Sequence, residues 1–404
     1  MTASELPRFI VLHVAGADRP GITARIAEVI AEERAHLVTI GQSVLHGTLM
    51  LSAIVDVPPD SHVLRRLLFE VSKLGLRLDV SAYEPSSPAP EAQPALGLCV
   101  TLLGPLADGR ATAAITRFMA DRQMNIREIR PLSMHELTGL ELIVDLPNRA
   151  GCSEADLRTL RGELLQHGMA LGVDLAVQRD DVFRRNKRLV CMDVDSTFVK
   201  GELIDELAAL VGVKTQVAEI TARAMRGELD FRQALAERVK LLAGLPLERA
   251  LELTERFELT PGGDEFVRLL KHLGVRVGLV SGGFDFFVSR LKDRFGLDFA
   301  FANELEVVDG QLTGRLCGPI VDGTRKAEIL REMAQHYGCR LEQTVAVGDG
   351  ANDMYMLQTA GLGIAFRAKP KLQEVAHMSL NHNERLDTLL YLMGFTARDL
   401  VHLH

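Results

Sequence analysis

The stretch CMDVDSTFVKGELIDELA, Cys191 to Ala208, decides how this chain folds. An apolar run ends in two aspartates one residue apart, followed by a serine, a threonine and a run of helix formers. Side chains of a strand alternate, so Asp193 and Asp195 would point the same way if the strand continued. Carboxylates that close repel unless a cation or a shared proton lies between them, and a magnesium ion with a phosphate is one candidate. A plainer reading stands beside it: Asp195 or Ser196 starts, as an N-cap, the helix that Glu202 to Leu210 predicts. The rest of the chain has to separate the two.

Outward from this stretch, apolar strand runs alternate with helices from Arg188 onward, the pattern of a parallel α/β sheet. Ligands bind at strand ends in such sheets. RLVCMDVD ends in the paired aspartates, VRVGLVSGG reaches Ser281, and TVAVGDGANDMYML runs into Asp349, Asn352 and Asp353, so three polar clusters fall at three strand ends. Leu203 to Phe257 is helical, charged and too long for an ordinary connection, which predicts an inserted cap. Gly310, between VV and LTGRL, predicts a hairpin, and Lys326 opens a helix. Cys191 reads as a small buried strand residue.

The chain has 404 residues, 47% hydrophobic and 25% charged, enough for two or three domains with their own cores. A formal net charge of -8 argues against non-specific nucleic-acid binding, so an anionic substrate needs local positive charge. Cys99, Cys152, Cys191, Cys317 and Cys339 form no CxxC pair, which predicts neither a disulfide framework nor a zinc site and fits a reducing compartment. The first residues lack a basic leader region and no stretch reaches membrane-spanning length, so a cytoplasmic protein without a membrane partner is expected.

The N-terminal half is written twice. Residues 8–83 read as strand, helix (Pro20 to Glu33), two strands around His46-Gly47, helix (Val63 to Leu74) and strand, the split βαβ order. A linker with Pro85, Pro88, Pro90 and Pro94 follows, and the order restarts at Leu98. Ile54-Val55-Asp56-Val57-Pro58 returns as Ile143-Val144-Asp145-Leu146-Pro147, and Leu37 aligns with Ile126 at the same offset. The turn GADRPGI, Gly16 to Ile22, resembles the signature of ACT domains, small regulatory modules that often bind amino acids; GPLADGRAT replaces it in the second repeat. Pro20 suits a first helical turn, Gly21 permits close backbone approach, and the helix N-terminus offers N–H groups to a carboxylate. The same residues also serve as a turn and helix start alone.

From Lys187 to about Leu392 the sequence resembles the haloacid dehalogenase superfamily of phosphotransferases, and within it the phosphoserine phosphatases. Its four motifs stand in family order as DVDST (Asp193 to Thr197), VSGGF (Val280 to Phe284), Lys326 and GDGANDMYM (Gly348 to Met356). The second carboxylate, Asp195, separates this pattern from the dehalogenases and from the P-type ATPases. The resemblance implies Asp193 as nucleophile, Asp195 as general acid and base, and Lys326 as the cation offsetting repulsion between carboxylate and phosphate. It implies Mg²⁺ held by Asp193, Asp349 and the backbone carbonyl of Asp195, with Asp353 in support. Ser281 and the Gly282 N–H would hold phosphoryl oxygens, and Asn352 would position substrate or Ser281. In the cap it implies Glu202 for a substrate ammonium, Arg238 for a carboxylate, and Met225 and Phe231 as the apolar pair that closes over substrate. Apart from the family, Glu202 and Arg238 read as exposed helix charges, and Lys326 as a solvated one.

The expected architecture is α/β: a Rossmann-like haloacid dehalogenase core with a helical cap, preceded by two α+β ferredoxin-like, ACT-like domains. The expected bounds are 1–84, a linker 85–96, 97–180, and a phosphatase domain 181–404 with core 187–202 and 259–395 and cap about 203–258. The expected reaction is Mg²⁺-dependent hydrolysis of O-phosphoserine to serine, closing serine biosynthesis. Phosphothreonine, homoserine phosphate or a sugar phosphate is the alternative substrate, and an amino-acid sensor with a vestigial phosphatase half the alternative class. A homodimer built through residues 1–180, and serine bound near Asp18 to Gly21, complete the expectations.

Overall fold

The computed structural model describes residues 8–84, 97–133, 138–147, 154–368, 372, 376 and 378–401; the linker expected at 85–96 lies outside them. The chain forms two compact units, 1–93 and 94–404.

In the first unit, β1 (Phe9–Ala17), α1 (Ile22–Glu32), β2 (His36–Leu45), β3 (Thr48–Asp56), α2 (Val63–Lys73) and β4 (Arg77–Ala82) follow the expected order. They make an antiparallel sheet ordered β2-β3-β1-β4. Alternation in β1 and β3 buries Ile10, Leu12, Val14, Leu51, Ala53 and Val55 against Ile22, Ile26, Val29, Leu67 and Val71 of the helices. Helix α1 begins at Ile22, so Pro20 lies in the preceding turn. Gly21 serves a different purpose from the one expected. A Cβ there would meet nothing within 4 Å, but its φ of 95° is a left-handed conformation that glycine adopts without strain.

The second repeat, in the second unit, comprises β5 (Gly97–Leu103), α3 (Arg110–Asp121), β6 (Asn125–Pro131), β7 (Gly139–Asp145), α4 (Glu154–Leu171) and β8 (Asp174–Arg179). The duplication is visible in the register. The ladder shifts between Leu37 and Thr39 in the first repeat and between Ile126 and Glu128 in the second, at equivalent positions. Gly109, with φ 71°, starts α3 as Gly21 starts α1.

The repeats differ in how their sheets end. Strand β4 is exposed along nearly its whole length, whereas its counterpart β8 is buried along nearly its whole length. The cause is that β8 pairs antiparallel with β15 (Met378–Leu380), which makes the second repeat part of one eleven-stranded sheet. The division expected at 180/181 therefore falls within a continuous unit. Leu103, Leu132 and Ala176 pack in the same apolar cluster as the central strands of the α/β core.

That core runs through β9 (Leu189–Met192), the helices α5 (Leu203–Leu210), α6 (Lys214–Met225), α7 (Phe231–Lys240) and α8 (Leu247–Thr254), then α9 (Gly263–His272), β10 (Arg276–Phe284), α10 (Asp285–Phe295), β11 (Phe299–Val308) and β12 (Gln311–Cys317). It continues with α11 (Gly323–His336), β13 (Thr344–Gly348), α12 (Met354–Thr359), β14 (Leu362–Phe366) and β15. Strands β11-β10-β9-β13-β14-β15 are parallel, and β12 returns antiparallel as the expected hairpin, turning at Asp309 and Gly310 with positive φ. Among the described residues no helix is long and apolar enough to cross a membrane.

Candidate active site

The carboxyl ends of β9, β10 and β13 and the helices α5–α7 enclose a cavity of ≈ 490 Å³. Asp193, Asp195, Glu202, Met225, Phe231, Arg238, Gly282, Asp349 and Asn352 all line it. Lys326, Ser281 and Asp353 stand behind that surface, each fully buried. Asp18 and Gly21 lie in the other unit, on the turn between β1 and α1.

Strand β9 stops at Met192, Asp193 remains extended, and the chain then turns through Ser196, a non-glycine residue at φ 56°. This strained turn brings Asp195 back to the cavity. Although the backbone N-cap position is Glu202, Asp195 caps α5 through its side chain. Its Oδ1 accepts the backbone N–H of Leu203 at 2.8 Å, the first residue of α5, while Oδ2 lies 3.3 Å from Ser281 Oγ. Ser281 Oγ also accepts the Gly283 N–H at 2.8 Å, so this serine is turned to Asp195 and its own loop.

Lys326 Nζ lies 2.7 Å from Asp193 Oδ1 and 2.7 Å from Asp353 Oδ1. It is the fourth residue of α11, a helix capped by Asp322, whose Oδ1 accepts the Arg325 N–H at 3.0 Å. Burial opposes the charge on Lys326, but the two carboxylates overcome it and hold the ammonium well above the usual lysine range. Burial, then the Asp353 charge, pushes the Asp193 carboxyl well up, and Lys326 pulls it down. Asp353 Oδ2 accepts the Gly350 N–H at 3.0 Å, and a Cβ on Gly348 would come within 2.4 Å of the Asp353 carboxyl carbon, so glycine there is a matter of space.

Carboxylate oxygens of Asp193, Asp349 and Asp353 lie within 4.8 Å of one another. An all-oxygen, anionic set of this kind fits a hard divalent cation. Thr197 Oγ1 donates to Asp349 Oδ1 at 3.5 Å.

The cap contributes one acid and one base. Glu202 is an exposed side chain that opens on the cavity, yet the walls desolvate it, and with Asp195 close by its carboxyl titrates above the ordinary range. Arg238 donates Nε to Ala234 O at 3.2 Å and, among the described residues, makes no ion pair; burial lowers its pKa. Met225 is 66% exposed, whereas Phe231 reaches the core, its ring 3.0 Å from where a Gly282 Cβ would stand.

Sequence reasoning missed two supporting residues. Asn303, 1% exposed, donates Nδ2 to Gly282 O at 2.8 Å and accepts the Val321 N–H at 2.8 Å, tying the VSGGF loop to the segment before α11. Asp322 joins cap to core through Arg232, whose Nε and Nη2 reach its Oδ2 at 2.8 and 2.6 Å. Neither carries a local signal, since a polar residue inside an apolar strand is the only mark of Asn303.

Residues 190–358 match the haloacid dehalogenase-like hydrolase family, and residues 8–81 and 98–178 each match an ACT domain family. The chain is 45% identical to phosphoserine phosphatase SerB2 of Mycobacterium tuberculosis over 97% of its own length and 94% of the relative's. It is 42% identical to the phosphoserine phosphatase of Streptomyces coelicolor over 98% and 94%. Among solved structures, a probable phosphoserine phosphatase from Vibrio cholerae superposes with a TM-score of 0.56 at 32% identity, covering 75% of this chain and 87% of that one. With the motif geometry and near-complete coverage together, the chain belongs to the phosphoserine phosphatase family of haloacid dehalogenase-like hydrolases and carries two ACT domains.

Proposed function

We propose that this protein hydrolyses O-phospho-L-serine to serine and phosphate through an aspartyl phosphate on Asp193, as the last step of serine biosynthesis. The observation that supports it most is a single cavity holding the Lys326-paired nucleophile, the three-carboxylate cluster, and one acid and one base from the cap. Phosphoserine carries a phosphate, an ammonium and a carboxylate, and the cavity offers a complement to each.

Asp193 uses its free carboxylate oxygen to attack phosphorus, forming a P–O bond as the bond to the serine oxygen breaks. Asp195, whose carboxyl burial holds above the usual range, delivers its proton from Oδ2 to that leaving oxygen. It then takes a proton from the water that attacks phosphorus, releasing phosphate and restoring Asp193. Lys326 offsets the repulsion between the attacking carboxylate and the phosphate. The Gly282 N–H faces the phosphoryl oxygens, with Ser281 joining when it exchanges its contact to Asp195, and Asn352 orients substrate or Ser281. Glu202 receives the ammonium and Arg238 the carboxylate, while Met225 and Phe231 close over the substrate and exclude water. A Mg²⁺ ion fits the oxygen set, held by Asp193, Asp349 and the Asp195 backbone carbonyl with Asp353 in support. When bound, it neutralises charge on the phosphoryl group.

We assign 1–84 and 97–180 to the ACT-like domains, joined by 85–96, and 181–404 to the phosphatase, with its cap at about 203–258. The enzyme acts in the cytoplasm, where cysteines without a pairing pattern stay reduced. In the first unit, exposed Leu37, Val38, Ile40, Val44 and Leu45 on the edge strand β2 support a homodimer assembled through the N-terminal repeats. Serine is assigned to the Asp18–Gly21 turn at the start of α1. Because β8 is hydrogen-bonded into the core sheet, assembly is tested on the full chain: Ile40→Lys with Val44→Lys should halve the mass in solution, and an unchanged mass rejects the dimer.

The test of function is phosphate release from phosphoserine, phosphothreonine and sugar phosphates, with and without Mg²⁺. Phosphoserine should lead in kcat/KM and should need the metal. A wide preference for sugar phosphates overturns the reading.

A further inference from the structure

Asp174 plays no part in the chemistry above, yet it is an acid only 4% exposed. It opens β8, and its carboxylate gathers the N–H groups of three successive residues. Oδ1 accepts those of Asn381 and His382 at 2.7 and 3.1 Å, and Oδ2 those of His382 and Asn383 at 3.2 and 3.0 Å. Successive N–H groups turned to one point make an anion nest, filled here by the protein's own side chain. Burial pushes the Asp174 carboxyl up, and the three N–H groups with the His382 charge pull it down. The ACT fold does not need this acid. Val173 packs against Gly104 as Leu76 packs against Gly16, so Arg77 is the equivalent residue of the first repeat. Its side chain is 78% exposed and paired with Asp79.

The turn that Asp174 holds leads to the root of the cap. Arg385 N–H donates to Asn383 Oδ1 at 3.1 Å, which ties the turn to itself, and Leu386 N–H donates to Pro261 O at 2.8 Å. A Cβ on Gly262 would stand 2.8 Å from the Asp387 carboxyl carbon and 3.0 Å from its backbone nitrogen, so the two segments are in close contact. Pro261 and Gly262 are where the chain returns from the cap to α9. The next residue back, Thr260, is 2% exposed; its Oγ1 donates to Thr197 O at 2.6 Å and its N–H to Phe198 O at 3.0 Å. Val199 bridges Leu259 beside them, so the outgoing and returning strands of the cap are fastened here. Thr197 belongs to the loop of Asp193 and Asp195, and its Oγ1 reaches Asp349. Hydrogen bonds and close packing thus run unbroken from β8 to the nucleophile loop.

We propose that Asp174 is a positioning residue for the reaction: by fixing the turn 381–387 it holds the point where the cap rejoins the core, and so sets how readily the cap closes over substrate. The inference rests on the reading of the site as a phosphoserine phosphatase with a closing cap. It gives the second ACT repeat a physical route to the cap. Asp174→Asn retains one oxygen for the nest and sets an NH₂ against the remaining N–H, so the turn loosens and the cap root with it. The closed form then becomes a smaller fraction of the free enzyme. Apparent affinity falls with that fraction, whereas the saturated enzyme is closed and turns over as before.

The experiment measures kcat and KM of the full chain on phosphoserine and on p-nitrophenyl phosphate, which offers Glu202 and Arg238 of the cap neither ammonium nor carboxylate. Asp174→Asn should raise KM for phosphoserine by about fivefold or more, with kcat on phosphoserine and KM for p-nitrophenyl phosphate each within about twofold of wild type. An equal loss of kcat on both substrates, or no change on either, overturns the proposal. Thr260→Val cuts the same route at its other end and should give the same split, and the double variant should be no worse than the worse single one. Effects that multiply would show two separate actions and overturn it. Should Asp174→Asn fail to fold, amide exchange on Thr260→Val decides: it should quicken across 381–387 as well as 259–263, with β13 unchanged, and quickening confined to 259–263 rejects the route. If wild type releases no phosphate from phosphoserine, the proposed function falls; exchange on Asp174→Asn then tests the route by itself, which stands if 259–263 quickens and falls if it does not.

Discussion

Replacing Lys326 by Met removes the ammonium that lies 2.7 Å from each of two buried carboxylates. Breaking a buried ion pair from one side costs about 3–5 kcal/mol when the remaining charge stays in place. The protein has an escape, which is to protonate one carboxyl. For a group with an ordinary pKa near 4 that costs about 1.4 kcal/mol per pH unit, hence about 4 kcal/mol at pH 7 and about 1.4 at pH 5. The two estimates meet at neutral pH and diverge below it.

The sign follows from linkage. Burial and the Asp353 charge already hold Asp193 above its unfolded value, and loss of Lys326 raises it further. In that window the folded state binds more protons than the unfolded one, so stability falls as pH rises through it and recovers toward acid. Urea unfolding of the full chain in metal-free buffer at pH 5, 6 and 7 should show a deficit against wild type of about 4 kcal/mol at pH 7, shrinking to about 1.4 at pH 5. Millimolar Mg²⁺ should recover part of the pH 7 deficit by supplying positive charge beside Asp193. A deficit independent of pH, or none at all, refutes the view that this lysine compensates buried charge.

Three further outcomes follow from the site. Asp195→Asn should slow phosphoserine turnover by roughly 10²–10⁴-fold yet leave a burst of nitrophenolate from p-nitrophenyl phosphate, whose leaving group needs no proton; loss of the burst would place Asp195 in some other role. Arg238→Ala should weaken phosphoserine by ~2 to 5 kcal/mol relative to phosphoethanolamine, which lacks the carboxylate, and equal losses in kcat/KM would show that Arg238 holds the cap together instead. Arg232→Ala breaks the cap-to-core pair with Asp322, but Arg232 is 63% exposed, so KM should rise no more than about fivefold, less at high salt, and a hundredfold loss would contradict a surface pair.

Where the sequence was legible, the signal was local. The split βαβ order, the duplication and the β11–β12 hairpin rest on periodicity and turn residues within a few positions. The four motifs converge because parallel strands place their ends on one edge of a sheet. What could not be read depends on partners far apart in the chain. Asn303 is meaningful only through Gly282 and Val321, and Asp322 only through Arg232, 90 residues away. The merging of the second repeat into the core sheet left a faint trace: β5 reads as GLCVTLL, apolar but for the buried Thr101, where β1 includes exposed His13. A strand covered on both faces gives up its alternation. That run was legible as a strand, but not as a statement about what covers it.

The helix-cap reading of Asp195 and its proposed role as proton carrier use different oxygens of one carboxyl group. Asp195 accepts the Leu203 N–H through Oδ1, and that bond fixes the carboxyl plane. Oδ2 is then the oxygen left for the proposed proton transfer, 3.3 Å from Ser281 Oγ. A helix N-terminus favours the ionised form, as does the cation Lys326, whereas burial favours the protonated form and wins. The net direction is upward, toward the protonated form from which the proposed protonation of the leaving group starts. Leu203 is also where the chain leaves the core for the cap. A carboxylate bonded to the first N–H of α5 therefore depends on the angle at which that helix departs, so the proposed closure of the cap would act on the same hydrogen bond that holds the proposed acid.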